Sequence, residues 1–225
     1  MPITPSLRGA NALRSARGMI LAGRHIVIAD YVNGWTFAAV AGGTQQSALN
    51  QMYIETSATA NSSELQRILC PHLSAPDGAN QHDWDMRKRW LIGFNLAIAN
   101  ADAQASAALQ FKAATTIGDL GAVGLGVQCA NLALSGESYG SARGSVSIAT
   151  LTAGKSYHVG IELFPGLKVD YYLDGVLTAT QSTAANVPNA LFAANGNIFA
   201  KVANGAAGGA DYTLSMNGLE FWLAS

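Results

Sequence analysis

Apolar and polar residues alternate with a period of two along most of the chain after Arg89. In two segments the apolar positions are Trp90, Ile92, Phe94, Leu96 and Ile98, and then Tyr157, Val159, Ile161 and Leu163. The positions between them, which include Asn95 and His158, are mostly polar or small. Because successive side chains of a strand point to opposite faces, this pattern predicts half-buried antiparallel strands.

The segment LKVDYYLDGVLTATQ alternates up to Asp174-Gly175 and then continues as a second run. An Asp-Gly pair between two such runs predicts a β-hairpin, since both central residues of a type I′ turn need positive φ. Further strands are predicted at His25–Tyr31, Trp35–Val40, Met52–Thr56, Leu65–Cys70, Ala107–Lys112, Val123–Leu134, Ser145–Leu151, Ile198–Val202 and Tyr212–Leu223. Helical periodicity is weak, so the predicted fold class is all-β, a two-sheet antiparallel β-sandwich.

The first 24 residues differ from the rest of the chain. They carry no acidic residue, glycines interrupt any helical pattern, and their basic residues are Arg8, Arg14, Arg17 and Arg24. Their longest apolar run, Met19–Ala22, is too short for the apolar core of a signal peptide. We expect residues 1–24 to form an extended basic arm that docks on neighbouring subunits, and residues 25–225 to form one sandwich domain.

Charged residues make up 12% of the chain, whereas soluble domains carry about 25%. The net charge is −1, which favours no nucleic-acid partner. No apolar run reaches roughly 18 residues, the length of a membrane span, so no membrane partner is expected. A surface with few charges is typical of a protein that packs against other subunits, such as a homo-oligomer. An extracellular β-protein is the alternative.

The stretch GESYG fits the G-x-S-x-G pattern of a hydrolase nucleophile elbow, with Ser138 in the place of the nucleophile. Such an elbow needs a helix directly after the serine, and an acid and a histidine further along the chain. Turn residues and a strand pattern follow instead, and His158, the histidine downstream, falls in the middle of a predicted strand. We therefore expect Ser138 to lie in a hairpin loop and not to act as a nucleophile.

Residues 70–88 lack periodicity and form a predicted loop that contains metal-binding residue types. These are Cys70, His72, Asp77, His82, Asp83 and Asp85. Their spacing matches no zinc pattern and lacks the compact arrangement of a calcium loop, so we expect no metal and no cofactor. The loop aspartates would instead pair with the basic run from Arg87 to Arg89. Cys70 and Cys129 have no C-x-x-C partner and are expected to be free thiols, with a disulfide as the alternative.

The segment LTAGKSYHVGIELFPGLKVDYYLDGVLTAT, residues 151–180, resembles the hairpin region of concanavalin A-like and laminin-G-like jelly rolls. RWLIGFNLAIANADAQASAALQF and the closing DYTLSMNGLEFWLA fit further strands, so the resemblance covers about residues 89–223. It implies a jelly-roll sandwich, and members of this fold bind glycans, hydrolyse them, or serve as structural modules. Hydrolysis needs two suitably spaced carboxylates, and no E-x-D-x-x-E strand is present, so the chain is expected not to be an enzyme.

The charge-poor composition and the basic arm resemble virion components of tailed bacteriophages. This resemblance implies a non-enzymatic structural protein that decorates or cements a capsid, or that belongs to a tail. Its partners would be viral coat or tail subunits, and it would reside in the virion after assembly in the host cytoplasm. The alternative is a lectin-like, carbohydrate-binding module for a host-surface glycan, with Trp84, Arg87 and Tyr139 as candidate glycan or partner contacts.

Overall fold

The computed structural model describes residues 23–28, 35–40, 44–45, 51–59, 63–69, 86–103, 105–112, 123–190, 197–205 and 212–224. The strands are β1 Gly23–Ile28, β2 Trp35–Val40, β3 Thr44–Gln45, β4 Gln51–Glu55, β5 Ser63–Leu69, β6 Trp90–Ile98, β7 Ala105–Lys112, β8 Gly124–Ala130, β9 Ala133–Tyr139, β10 Arg143–Thr150, β11 Ser156–Phe164, β12 Lys168–Leu173, β13 Val176–Gln181, β14 Asn197–Asn204 and β15 Thr213–Ala224. A short 3-10 turn occupies Ala184–Asn186. Within these ranges no helix has the length and apolar character needed to cross a bilayer.

The strands form two antiparallel sheets that pack face to face. The order in the first sheet is β13-β12-β11-β6-β15-β4-β3, with β1 also paired to β15, and the order in the second is β10-β9-β8-β7-β14-β5-β2. The inner faces meet in one apolar core. In that core the rings of Phe111 and Phe221, from opposite sheets, meet edge to face with their centroids 5.4 Å apart. The predicted all-β, two-sheet antiparallel sandwich is therefore confirmed.

The predicted Asp174-Gly175 hairpin is also confirmed. These two residues have φ of 50° and 83°, and the flanking Leu173 pairs with Val176 across β12 and β13. Glycine adopts positive φ without a steric cost, and aspartate tolerates it better than most residues. The local sequence therefore determines this turn and the pairing at one edge of the first sheet.

The predicted strand Val123–Leu134 is wrong in extent, because the chain reverses within it. β8 and β9 pair on either side of a turn at Asn131-Leu132, in which Asn131 has φ of 54°. Asparagine is one of the few residues that enter this left-handed conformation readily. A single asparagine is a weaker hairpin signal than an Asp-Gly pair. A prediction based on alternation alone therefore joined two strands into one.

The strands predicted as half-buried are buried on both faces. Alternate residues of β6 and β11 face the core, as predicted, but Asn95, His158 and Glu162 on the outer face of the first sheet are 7%, 8% and 1% exposed. These side chains bond to one another or to neighbouring side chains. Buried polar groups need such partners, and an alternating pattern does not show whether water or protein supplies them.

Ser138 lies in strand β9 and not in the predicted hairpin loop. Its side chain is fully buried beside Tyr171, whose hydroxyl donates to the Glu137 carbonyl oxygen at 2.9 Å. A Cβ at Gly136 would come within 2.5 Å of the Tyr171 ring. The first glycine of the GESYG motif therefore makes room for a core tyrosine, and Ser138 is inaccessible to a substrate.

The predicted basic arm falls almost entirely outside the described residues. Arg8, Arg14 and Arg17 lie there, whereas the backbone of Arg24 belongs to β1 and pairs with Leu223 of β15. The first sheet thus already includes the end of the predicted arm. The division of the chain at residue 24 otherwise stays a prediction.

Candidate functional site

Polar and aromatic side chains gather on the outer face of the first sheet. They come from the adjacent strands β12, β11, β6 and β15. We name as the outer polar face the residues Asn95, His158, Glu162, Asp170, Tyr172, Asn217, Glu220 and Trp222. All of them except the half-buried Asn217 are buried. This concentration of buried polar atoms distinguishes the outer polar face from the apolar inner faces of the sandwich.

A β-bulge in β15 positions Glu220 on this face. The pairing of β15 with β6 shifts between Asn217 and Glu220, and Gly218 has φ of 61°. The extra residue keeps Met216 and Leu219 in the core while the residues that follow each of them point outward. Glycine adopts this conformation without the steric cost of a Cβ, so Gly218 is the residue that shapes the bulge.

Three side chains form a hydrogen-bond chain at the centre of the face. Asn95 lies opposite both Asn217 and His158 in the sheet. Its Nδ2 donates to Asn217 Oδ1 at 2.8 Å, and its Oδ1 lies 3.2 Å from His158 Nδ1. An amide oxygen only accepts hydrogen bonds, so His158 Nδ1 carries the proton in this arrangement. The neutral ring then has its lone pair on Nε2.

His158 Nε2 is buried and has no hydrogen-bond partner in the described part of the chain. The ring packs over Gly93, where an added Cβ would lie 3.4 Å from His158 Cε1 and 3.6 Å from Trp222 Cζ3. Burial lowers the pKa of His158 below its ordinary value of 6.5, against smaller opposing effects of the Glu220 and Asp174 carboxylates. His158 is therefore a neutral hydrogen-bond acceptor at neutral pH. We name as the histidine centre the residues Asn95, His158, Asn217, Glu220 and Trp222.

The rest of the face, which we name the acidic end, contains two carboxylates with cationic partners. Glu162 and Asp170 lie opposite each other on β11 and β12. Arg89 Nε donates to Glu162 Oε1 at 3.0 Å, and Lys168 Nζ donates to Asp170 Oδ2 at 2.8 Å. Both cations also lie over the Phe164 ring, at 4.2 and 4.7 Å from its centroid. The ring and the carboxylates together hold the two cations in place.

The remaining carboxylate oxygens at the acidic end accept hydrogen bonds from hydroxyl groups. Tyr172 donates to Glu162 Oε2 at 3.1 Å, and Thr180 donates to Asp170 Oδ1 at 2.7 Å. Adjacent carboxylates repel each other unless positive charges or donors compensate them, and here both kinds of partner are present. The acidic end therefore satisfies its own polar atoms, in contrast to His158.

The residues predicted as glycan or partner contacts belong to different sheets. Arg87 is exposed in the turn before β6 of the first sheet, whereas Tyr139 is half-buried at the end of β9 in the second. Trp84 lies outside the described residues, together with the part of the predicted 70–88 loop from Cys70 to Asp85. In the ranges that are described, no group of three or more potential metal ligands occurs. The role of Trp84, Arg87 and Tyr139 as glycan or partner contacts stays a prediction.

Cys129 is a free, buried thiol, as expected, while Cys70 lies outside the described residues. Burial raises the pKa of Cys129 to about 11, and its Sγ lies 3.3 Å from the Asn131 carbonyl oxygen. A thiol of this kind stays protonated at neutral pH and is a poor nucleophile. Cys129 is therefore a packing residue of the core.

His158 was predicted on the polar face of a strand, but none of the residues of the histidine centre was predicted as a site residue. Part of the signal was present, because Asn95 and His158 both occupy polar positions in otherwise apolar alternating runs. Two such positions indicate a site only when their strands are neighbours. That adjacency follows from the sheet order, and Glu220 reaches the face through the bulge at Gly218.

Comparison with known proteins identifies the fold. No protein family model and no curated protein matches the sequence of the chain. Among solved structures, an endo-β-1,4-glucuronan lyase from Trichoderma reesei is similar over 89% of this chain and 95% of its own, with a TM-score of 0.61 and 12% identity. A Bacillus licheniformis β-glucanase is similar over 91% and 99%, with a TM-score of 0.57 and 11% identity. The chain therefore has a concanavalin A-like jelly-roll fold.

A third similar structure is the receptor-binding domain of botulinum neurotoxin D, with a TM-score of 0.51 and 10% identity. The similarity covers 85% of this chain and 45% of that one. The three neighbours are thus two carbohydrate-active proteins and one receptor-binding domain. At these identities the similarity shows the fold of this chain and not its role. The virion location, the coat or tail partners and the homo-oligomer stay predictions.

The expectation that this jelly roll is not an enzyme is contradicted. Two of its structural neighbours, the lyase and the glucanase, are enzymes of the same fold. The expectation depended on the absence of an E-x-D-x-x-E strand. That criterion was too narrow, because a lyase and a glucanase already represent two chemistries on one fold.

Proposed function

We propose that this jelly roll binds a glycan through the histidine centre. The observation that carries the proposal is His158 Nε2, a buried polar atom without a hydrogen-bond partner in the described residues. Buried polar atoms in native proteins are nearly always satisfied. Five side-chain atoms of the described residues are exceptions, and His158 Nε2 is the one that belongs to the outer polar face, where an external group could donate to it. A sugar hydroxyl is such a group.

An aromatic surface and a flat floor accompany this acceptor. The Trp222 indole lies beside the His158 ring over Gly93. Gly93 is paired directly with Gly160 between β6 and β11, so the backbone there carries no side chains. Aromatic rings pack against the apolar faces of ligands while nearby polar groups fix their orientation. The two glycines leave room for the His158 and Trp222 rings, which give a ligand one hydrogen-bond acceptor and one aromatic ring to contact.

The enclosure of the histidine centre predicts slow binding. Trp222 is only 3% exposed, so binding of a ligand to the indole requires a conformational change that exposes it. Association that requires such a change is slower than the usual lower value of about 10⁵ M⁻¹ s⁻¹. Stopped-flow measurement of tryptophan fluorescence on mixing with a glycan checks this expectation, and diffusion-limited association would contradict it.

Calorimetric titration of the full chain with a panel of glycans tests the proposed function. The panel contains a neutral mixed-linkage β-glucan, glucuronan and a sialylated oligosaccharide. Trp222→Leu should weaken binding by about tenfold or more, because buried aromatic residues dominate binding energies. Phe199→Leu is the matched control, since Phe199 is equally buried but lies on the outer face of the second sheet. Absence of saturable binding to the whole panel would refute the proposal.

The same mixtures should be analysed for shortening of the glycan chains. Size-exclusion chromatography before and after incubation measures this directly. Shortening that is lost in Trp222→Leu and kept in Phe199→Leu would assign catalysis to the same face. Binding without shortening would assign recognition to it.

A further inference from the structure

A row of four polar side chains crosses the outer face of the first sheet. His158 lies opposite Asn95, and Asn95 lies opposite Asn217. Asn217 in turn lies opposite Gln51, the first residue of β4. Residues that face each other on neighbouring strands point to the same side of the sheet. We name these four residues the polar row, and because strands lie about 4.8 Å apart, the row is about 14 Å long.

The polar row passes from the interior of the protein to its surface. His158 and Asn95 are buried, Asn217 is half-buried, and Gln51 is exposed. The strand pairing explains this gradient, because β4 pairs with β15 only up to Asn217 and β1 pairs with β15 only from Leu219 onward. The outer end of the polar row therefore lies where one neighbour of β15 gives way to another.

The hydrogen bonds within the polar row leave polar groups for a ligand at both of its ends. At the inner end, His158 Nε2 is an acceptor without a partner in the described residues. Asn217 Oδ1 accepts from Asn95 Nδ2 at 2.8 Å, which leaves the Nδ2 group of Asn217 as a donor. The Gln51 amide supplies a further donor and acceptor. Hydroxyl groups both donate and accept, so successive sugar hydroxyls can bond to all of these groups.

We infer that the polar row is an extended binding site for an oligosaccharide, in which Asn217 and Gln51 contact the sugar units next to the one at His158. The inference rests on the proposed glycan-binding function. It assigns a direct ligand contact to Asn217, and it adds Gln51, which lies outside the histidine centre. The ligand class follows from the length of the row, which exceeds a single sugar ring.

Calorimetric titration of the full chain compares ligands of different length. The probes are a disaccharide and a longer oligosaccharide of the panel glycan that the chain binds, whether β-glucan, glucuronan or the sialylated oligosaccharide. The longer ligand should bind about tenfold more tightly, because it gains hydrogen bonds to Asn217 and Gln51. Gln51→Ala should weaken the longer ligand about threefold and leave the disaccharide unchanged. Since Gln51 is exposed, this substitution should also leave the melting temperature unchanged.

Asn217→Asp separates a ligand contact from a role in orienting His158. The carboxylate still accepts from Asn95 Nδ2, so the His158 tautomer should be kept, but the donor of Asn217 is lost. Affinity for the longer oligosaccharide should fall about tenfold, while nuclear magnetic resonance of the imidazole nitrogens still shows the Nδ1–H tautomer. Ser215→Asp is the matched control. It adds the same charge to the same face of β15 two residues away, and should leave the affinity nearly unchanged.

The outcomes separate the inference from the function on which it rests. Equal affinities for the disaccharide and the longer oligosaccharide, both lost in Trp222→Leu, would overturn the inference and leave glycan binding in place. Unchanged affinity in Asn217→Asp would also overturn it, as would a loss of affinity that accompanies a change to the Nε2–H tautomer, since Asn217 would then act only by orienting His158. A failure of every panel glycan to bind would overturn both the inference and the proposed function.

Discussion

The acidic end and the histidine centre share one face of one sheet, but they differ in how their polar atoms are satisfied. At the acidic end, Glu162 and Asp170 receive hydrogen bonds from a cation and a hydroxyl each. At the histidine centre, Asn95 and Asn217 orient His158, whose Nε2 has no partner in the described residues. Buried charge is therefore not by itself a sign of function. The satisfied network at the acidic end holds the fold together, whereas the unsatisfied Nε2 at the histidine centre is the atom to which we propose that a ligand donates.

The largest expected effect on stability is at the acidic end. Arg89→Met removes the guanidinium that binds the buried carboxylate of Glu162. The loss of a partner from a buried charge should cost about 3 kcal/mol of unfolding free energy, measured by urea denaturation. Lys88→Met, a change at the exposed neighbouring position, is the control and should stay within about 0.5 kcal/mol. If Arg89→Met instead reduced glycan affinity at unchanged stability, the ligand would bind at the acidic end. This would contradict the assignment of a structural role to the acidic end.

Substitutions at two glycines should affect the core and the histidine centre differently. Gly136→Ala would place a Cβ 2.5 Å from the Tyr171 ring, and such overpacking should cost about 2 kcal/mol. Gly93→Ala meets its nearest atoms, those of His158, at 3.4 Å, so stability should change by less than about 1 kcal/mol. The added methyl would press on the His158 and Trp222 rings and shift them, and should therefore weaken β-glucan binding several-fold. Thermal unfolding and calorimetry measure the two effects, and equal destabilisation by both substitutions would show that Gly93 is part of a packed core.

The smallest expected effect is on the pH dependence of stability. Burial lowers the pKa of His158 in the folded state below 6.5, so the unfolded chain takes up the proton more readily. Acidification between 6.5 and the lowered pKa therefore destabilises the fold, by at most about 1.4 kcal/mol per pH unit. Urea unfolding at neutral and mildly acidic pH measures this slope, which should be reduced in His158→Phe. A steeper slope in the variant than in the natural protein would contradict the assigned direction.

Local patterns were sufficient to predict the fold. The Asp174-Gly175 pair encodes its own turn, and the alternation in β6 and β11 correctly separates core positions from outward positions. Ser138 shows the limit of a motif, since GESYG matches a pattern whose meaning depends on a helix that the sequence lacks. The position of Ser138 in a strand follows from the strands around it and not from the motif.

The histidine centre could not be predicted in the same way, because it depends on residues that are distant in sequence. His158 and Asn95 are 63 positions apart, and Asn95 and Asn217 are 122 positions apart. Their meeting depends on the order β11-β6-β15, which alternation does not specify. The bulge at Gly218 then brings Glu220 to the same face. A single glycine in a strand is not sufficient to predict a bulge from the sequence.

The central claim, that His158 Nε2 is an acceptor reserved for a glycan, is tested most directly by nuclear magnetic resonance of the imidazole nitrogens. His158 is one of four histidines, and the spectrum of His158→Phe identifies its signals. We predict the Nδ1–H tautomer, a pKa below 6.5, and a shift of the Nε2 resonance on saturation with β-glucan. An Nε2–H tautomer, which the opposite orientation of both asparagine amides would produce, would contradict the account, as would an Nε2 resonance that saturating glycan leaves unchanged.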